Sequence, residues 1–297
     1  MVSEEYLQEL KNQKFGVEVE FSFISREDAR EVIRKTLCNN YTTIDSKGRK
    51  WKVVRDGSII PKMRDEFGEV FSADDSYKVE LNSPILEYED IDLLLEVITN
   101  LKKAGAEPST RCGLHIHVGE EGHTVTSLRN MLNLFMQKES IMIEAFQIDS
   151  ERIDRYCQSV NENLITKMNR YKANSLSELR QQWELENCGR YRMLNLASFY
   201  SNTGLEFRLF NSTLNPITIR SYIVFCLAIS QKAKTMQRAV PIKSSMENNR
   251  YEWRNFLNRL GLSGDEFKAV RKELLKNVSG ESAFHTPEEH NRRRITR

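Results

Sequence analysis

The sequence predicts an α+β fold. Short segments with strict apolar–polar alternation recur between residues 15 and 211, and segments of helical spacing lie between them. After Pro216 everything reads as helix, to about Val278. The chain has 297 residues, 39% apolar and 29% charged, which is globular composition and excludes long disorder or fibrous repeats. With 13 Gly and 6 Pro it is too poor in breakers for a linker-rich multidomain protein.

In chain order, 15–24 reads as a strand and 26–38 as a helix with Ser25 as its N-cap. Residues 51–60 are strand-like around an Asp56-Gly57 turn signal. A strand over 77–81 is stopped by Asn82-Ser83-Pro84, and a helix over 90–104 is ended by Gly105. Residues 114–119 form a strand, 125–146 a long amphipathic helix, 163–189 a mostly helical charged stretch, and 205–211 the last clear strand. The terminal Asn291-Arg292-Arg293-Arg294-Ile295-Thr296-Arg297 reads as a frayed basic tail.

Lys plus Arg number 44 against 42 Asp plus Glu, a net +2 that argues against nucleic-acid or membrane electrostatics as the main business. The longest apolar run, 222–229, is far short of the ~20 residues a membrane span needs. The polar, acidic N-terminus is no secretory signal. Cys38, Cys112, Cys157, Cys188 and Cys226 are odd in number, with no CxxC pair. They support neither a disulfide framework nor a zinc ribbon, so a cytoplasmic protein with reduced thiols is expected.

Alternation places side chains on two faces. In the first strand Phe15, Val17, Val19, Phe21 and Phe23 form one row, which would pack on helices, and Gly16, Glu18, Glu20 and Ser22 the other. The same split sets Lys78, Glu80 and Asn82 against Tyr77, Val79 and Leu81. It sets His115 and His117 against Leu114, Ile116 and Val118, and Glu206 and Arg208 against Leu205, Phe207 and Leu209. For any one strand a polar row is most simply a solvent face. Four such rows holding mainly Glu, His and Arg point instead to a functional face. Carboxylates this dense repel unless neutralised, and divalent cations are the natural neutraliser. Several Glu oxygens with a His nitrogen suit Mg²⁺ or Mn²⁺ better than zinc.

Five segments in order carry a family resemblance: Phe15-Gly16-Val17-Glu18-Val19-Glu20-Phe21, Asp56-Gly57-Ser58-Ile59, Glu80-Leu81-Asn82-Ser83-Pro84, Cys112-Gly113-Leu114-His115-Ile116-His117-Val118-Gly119 and Thr203-Gly204-Leu205-Glu206-Phe207-Arg208. Together the set resembles the amidoligase family, which is similar to glutamine synthetase and glutamate–cysteine ligases. The resemblance implies a glutamine-synthetase-like curved antiparallel sheet, a half-barrel with helices on its convex face and ATP with two or three Mg²⁺ or Mn²⁺ ions on the concave one. It implies Glu18, Glu20, Glu80, His115 and Glu206 as metal ligands, with His117 on the same face closer to substrate. It implies Arg208 facing the transferred phosphoryl group, Asp56 near the amine donor, and Arg192 or Arg190 at a phosphate or substrate carboxylate.

On that reading residues 1–214 form the catalytic sheet with inserted helices, 215–280 a helical part packed on the same domain, and 281–297 a flexible basic tail. The expected activity is ATP-dependent joining of a carboxylate to an amine through an acyl phosphate. The substrates would be small molecules, amino acids or peptides, with no membrane or nucleic-acid partner expected. No Walker-type segment occurs, which excludes a P-loop. The rivals are a metal-dependent nuclease or phosphodiesterase using the same acidic face, and a non-catalytic nucleotide- or peptide-binding module of the same fold.

Other residues read more blandly. Cys112 is expected to be a buried structural thiol, because strand neighbours point to opposite faces. His123, His285 and His290 lie in polar, loop-like sequence and are expected to be solvated. Met131, Leu132, Phe135 and Met136 form a helix-core stripe.

Overall fold

The computed structural model describes residues 2–243 and 248–281. The basic tail, with His285 and His290, lies outside the described residues. The elements run α1 (Glu4–Asn12), β1 (Phe15–Phe21), α2 (Arg26–Thr36), β2 (Lys52–Val54), β3 (Lys62–Arg64), β4 (Val70–Ser72), β5 (Val79–Asn82), α3 (Ile91–Lys103), β6 (Gly113–Val118), α4 (Val125–Phe146), α5 (Ser150–Arg155), α6 (Glu162–Arg170), α7 (Leu176–Leu185), β7 (Leu194–Asn195), β8 (Leu205–Asn211), α8 (Pro216–Thr235), α9 (Asn249–Arg259) and α10 (Lys268–Leu275). Six strands form an open sheet in the order β2-β5-β1-β6-β8-β7, with every neighbouring pair antiparallel. A separate hairpin pairs β3 with β4.

The alternation works as the sequence implies. Phe15, Val17, Val19 and Phe21 on β1 are buried with Val79, Leu81, Leu114, Ile116, Val118, Leu205 and Phe207 from its neighbours. This apolar face joins residues of α3, α4 and α8 in one core. Phe135 on α4 meets Phe207 with centroids 5.8 Å apart. Phe146, at the end of the same helix, sits edge-on to Phe210, Tyr222, Phe225 and Trp253 at 5.0–5.9 Å. That cluster ties α4, β8, α8 and α9 together, and truncating one buried ring to Ala costs about 3–5 kcal/mol.

Helix ends follow local chemistry. Ser25 caps α2 by accepting from Asp28 N, and Thr124 and Ser127 cap α4 reciprocally. Pro216 opens α8 behind the Asn215 cap. Most positions of α8 are buried, so the apolar run 222–229 is a core helix. Among the described residues no helix is long and apolar enough to cross a membrane.

The structure departs from the alternation at several points. β1 stops at Phe21, since Phe23 takes a φ of 69° and leaves the pleat. Only Lys52–Val54 of 51–60 is strand, and Asp75–Tyr77 is a 3₁₀ turn capped by Asp74 rather than strand. The exposed hairpin and the two-residue β7 carry too little pattern to read from sequence. Beyond Pro216 the helix is not continuous but falls into α8, α9 and α10, with Gly261 and Gly264 at φ 93° and 82° between the last two. In β8 the register against β6 slips, so that Leu114 faces Phe210 while Ile116 faces Phe207. This bulge buries both Leu209 and Phe210 and interrupts the expected row.

Candidate active site

Strand register assembles the polar face. Glu18 lies between Asn82 on β5 and His115 on β6, Glu20 pairs with Glu80, and His117 lies between Gly16 and Glu206. A cavity of about 510 Å³ opens over this face. Glu18, Glu20, Glu80 and Asp56 line it from the β1–β5–β2 half, and Arg208, Arg190 and Tyr191 from the β8–β7 half. His115, Arg111, Arg152 and Tyr156 complete its wall.

Six acidic and imidazole groups form two clusters. Glu18, His117 and Glu206 each bring one ligand atom within 4.8 Å of the others, and so do Glu20, Asp56 and Glu80. His115 belongs to neither triplet. Its Nδ1 lies 3.1 Å from Glu18 Oε2 and 3.7 Å from Glu206 Oε1. His117 Nδ1 donates to the Thr203 carbonyl at 3.1 Å, while Nε2 is buried, without a hydrogen bond, and 3.3 Å from Glu18 Oε1. Both histidines bear on Glu18: His115 lines the cavity, and the nearby Glu18 carboxylate outweighs burial to raise His117. Gly204 supports that geometry: its φ is 81°, and a Cβ there would stand 2.4 Å from the Val118 carbonyl oxygen.

The carboxylates divide electrostatically. Burial works to raise Glu18, but His115 and His117 outweigh it and hold the group well below the usual carboxylate range. Glu20 is raised by burial, against the pull of His115 and the Gly113 N–H, with Asp56 adding to the rise. Glu80 is pushed up to about 8 by burial and by the charges of Glu18, Glu20 and Asp56, despite Asn82. Around Glu20 and Glu80 the protein's positive groups thus do not offset burial.

The arginines stand opposite. Arg208 pairs with Glu206 and lies 5.7 Å from the Tyr191 ring centre. Arg190 stacks on the same ring at 4.9 Å and donates to the Tyr191 hydroxyl at 2.9 Å. Arg192 does not reach the cavity. Its guanidinium is spent on the carbonyls of Cys188 and Ser159 at 3.1 and 2.9 Å, so of the two candidates only Arg190 faces the site. Asp56 sits in a turn with Oδ1 accepting from Ser58 N at 2.6 Å and from the Ser58 hydroxyl.

A second cavity of about 520 Å³ adjoins the first along the same face, sharing Glu18. Its floor includes the bare backbone of Gly16, and Pro84, Ile85, His117 and Thr203 line it. Sequence reasoning passed over Arg111, Arg152, Tyr156 and Tyr191. Arg111 and Tyr191 adjoin quoted motifs, Cys112-Gly113 and Arg190, and adjacency was the available signal. Arg152 and Tyr156 reach the cavity only through tertiary placement of α5.

Cys112 is a buried thiol, pushed up to about 11 by burial and 3.3 Å from the Ser109 hydroxyl. His123 is not solvated: it is buried, with its ring nitrogens 3.0 Å from the Ser127 and Ser230 hydroxyls, and burial with the nearby Lys234 charge lowers it to about 3.

A family model for amidoligase enzymes matches residues 11–230, most of the chain and all of this site. The chain belongs to the amidoligase family. Among solved structures it is similar to a bifunctional glutathione synthetase from Pasteurella multocida, at 14% identity and a TM-score of 0.41, over 92% of this chain and 48% of that one. The chain therefore spans about half the length of that protein. No curated protein matches it. In this amidoligase the family segments supply both acidic clusters and Arg208, while the remaining arginines come from outside them.

Proposed function

We propose that this chain is an ATP-dependent carboxylate–amine ligase that activates its acid as an acyl phosphate on a glutamine-synthetase-like sheet. The observation that carries the reading is one cavity lined by the carboxylates Glu18, Glu20, Asp56 and Glu80 on one side and by Arg190 and Arg208 on the other. Residues 1–214 carry the catalytic face and 215–280 the helical layer behind it. The substrates are a small-molecule, amino-acid or peptide carboxylate and an amine.

The donor set fits hard divalent cations. Glu20 and Glu80 are buried carboxylates raised for want of counter-charge, and oxygen-rich ligation suits Mg²⁺ or Mn²⁺. Glu18, Glu206 and one of His115 and His117 would hold one ion, and Glu20 and Glu80 would hold another, with Asp56 beside them. Such ions neutralise the charge of ATP phosphates and of the group in transfer.

The chain's own residues do the rest. The Thr203 carbonyl fixes the His117 tautomer, keeping Nε2 available. The Tyr191 ring packs against both Arg190 and Arg208, whose planar forks would meet phosphoryl oxygens. The glycine-floored cavity gives the nucleoside a flat surface beside the acidic row. Asp56 keeps one oxygen on Ser58 and turns the other to the amine, orienting it and accepting its proton.

The test is an ATP-turnover screen over acid and amine pairs with mass detection of product. Turnover that requires both substrates, with an amide formed, is the expected result. Cleavage of nucleic acid or phosphodiesters without an amine would overturn it in favour of a nuclease.

A further inference from the structure

Arg152 has no role in the reading above, yet it occupies a special place. From α5 its side chain enters the protein until only 4% of the residue is exposed. It lies flat on Gly113, the first residue of β6. A Cβ on Gly113 would stand 2.7 Å from both terminal guanidinium nitrogens and 3.0 Å from the central carbon. Gly113 does not have a positive φ, so what excludes a side chain there is the arginine and not the backbone.

The guanidinium spans the site. Nη1 donates to the Arg111 carbonyl at 3.2 Å and Nη2 to the Arg208 carbonyl at 3.1 Å. The Gly113 N–H beneath it donates to Glu20 Oε2 at 2.7 Å. The Arg208 carbonyl belongs to the stretch of β8 where the register against β6 slips, so the ladder is interrupted there and the arginine supplies a donor. Arg152 Nε is buried without a hydrogen bond. A buried charge with an unused donor is a poor device for stability alone.

We propose that Arg152 is a positioning residue that fixes the separation between Glu20 on the acidic side and Arg208 on the phosphoryl side. The proposal rests on the ligase reading. The same planar group packs over Gly113, holds the peptide just before the one whose N–H clamps Glu20, and holds the Arg208 carbonyl, so a change at Arg152 moves both sides. Its positive charge also lies under the carboxylate cluster, where it acts on Glu20 as a fixed counter-charge.

Binding of Mn²⁺ with a non-hydrolysable ATP analogue, measured by calorimetry, tests this in the full chain. Arg152→Lys keeps the charge and loses the fork, and affinity falls about 10–100-fold, as when a group supporting metal ligands is removed. Gly113→Ala produces a loss of the same size by displacing the guanidinium. In an Arg152→Ala background the added methyl has room, so Gly113→Ala costs nothing further, and millimolar guanidinium restores part of the binding. A merely structural arginine shows neither the rescue nor a binding loss at unchanged Tm. Wild-type affinity in both single variants, or losses that simply add, overturns the proposal. Failure of the wild-type chain to bind the nucleotide with Mn²⁺ overturns the ligase reading itself.

Discussion

Glu20 and Glu80 face each other as direct cross-strand partners on β1 and β5. Like charges so placed destabilise a ladder. Burial first, then the charge of Glu18 and behind it that of Glu20, hold the proton on Glu80 up to about pH 8. Because this folded pKa lies above the unfolded one, the associated stability is fully present below about pH 4.5 and is lost as pH rises through 8. Glu80→Gln is therefore expected to raise Tm in chelator at pH 8 and to change it little at pH 5. Mg²⁺ should raise the wild-type Tm more than the variant's. An equal Tm difference at both pH values would show that ionisation of Glu80 is not the cause.

Glu18 sits one position along the same row with the opposite sign. Its depressed pKa means that the stability from its histidine contacts is present above the unfolded pKa and lost as pH falls. Glu18→Gln should thus lower Tm in chelator at pH 8, by the ~1–3 kcal/mol of a lost buried partner, while also abolishing metal-dependent turnover. Thermal melts of the two glutamine variants side by side check this. Shifts of the same sign would remove the electrostatic distinction between them.

These opposite behaviours mark the limit of what sequence shows. The period of two assigned Glu18, Glu20, Glu80, His115, His117 and Glu206 to one face, because side-chain direction along a strand is local. Which carboxylate gains histidines and which gains only another carboxylate depends on register between strands about 60 or more residues apart in sequence. The same limit separates His115 from His117 and hides Arg152, whose helix carries no strand periodicity. His123 misled for another reason. Its neighbours Glu120, Glu121, Gly122 and Thr124 are polar, but α8 brings Ser230 over it and removes the water.

His123 should accordingly set part of the acid sensitivity. Its folded pKa of about 3 lies below the usual imidazole value, so the unfolded chain takes up the proton first as pH falls. Its stabilising contribution is full above about pH 6.5 and declines toward pH 3, at about 1.4 kcal/mol per pH unit for one proton. His123→Gln should show a smaller loss between pH 7 and pH 5 in urea melts. An unchanged slope would return that loss to other groups.

Asp56 is placed both at the cavity rim and within reach of Glu20 and Glu80. If it accepts the amine proton, Asp56→Asn should slow amide formation far more than activation of the acid, by about 10²–10⁴-fold for a lost general base. Hydroxylamine, which needs little help to lose its proton, should still trap the activated acid. Equal loss of both steps would place Asp56 with the metal ligands instead.

The last prediction is which ATP bond breaks. Adenylation needs donors gathered at the α-phosphate, and phosphorylation needs cations and an arginine at the γ-phosphate. Here Arg208 lies two residues from Glu206 and is paired to it, and Glu206 belongs to the cluster with Glu18 and His117. Were Glu206 to turn from Arg208 to an ion shared with Glu18, the Arg208 guanidinium would be released toward the group in transfer. Tyr191 beneath the fork preserves its orientation during that exchange. An arginine so placed stabilises charge that grows on the phosphoryl oxygens, so its loss falls on turnover more than on ATP affinity. Arg208→Lys should lower turnover by about 10³-fold or more with near-normal nucleotide binding, because an ammonium lacks the planar fork. ADP and phosphate should appear in equal amounts with the amide, followed by chromatography of the nucleotide products. AMP and pyrophosphate as the stoichiometric products would falsify the acyl-phosphate route.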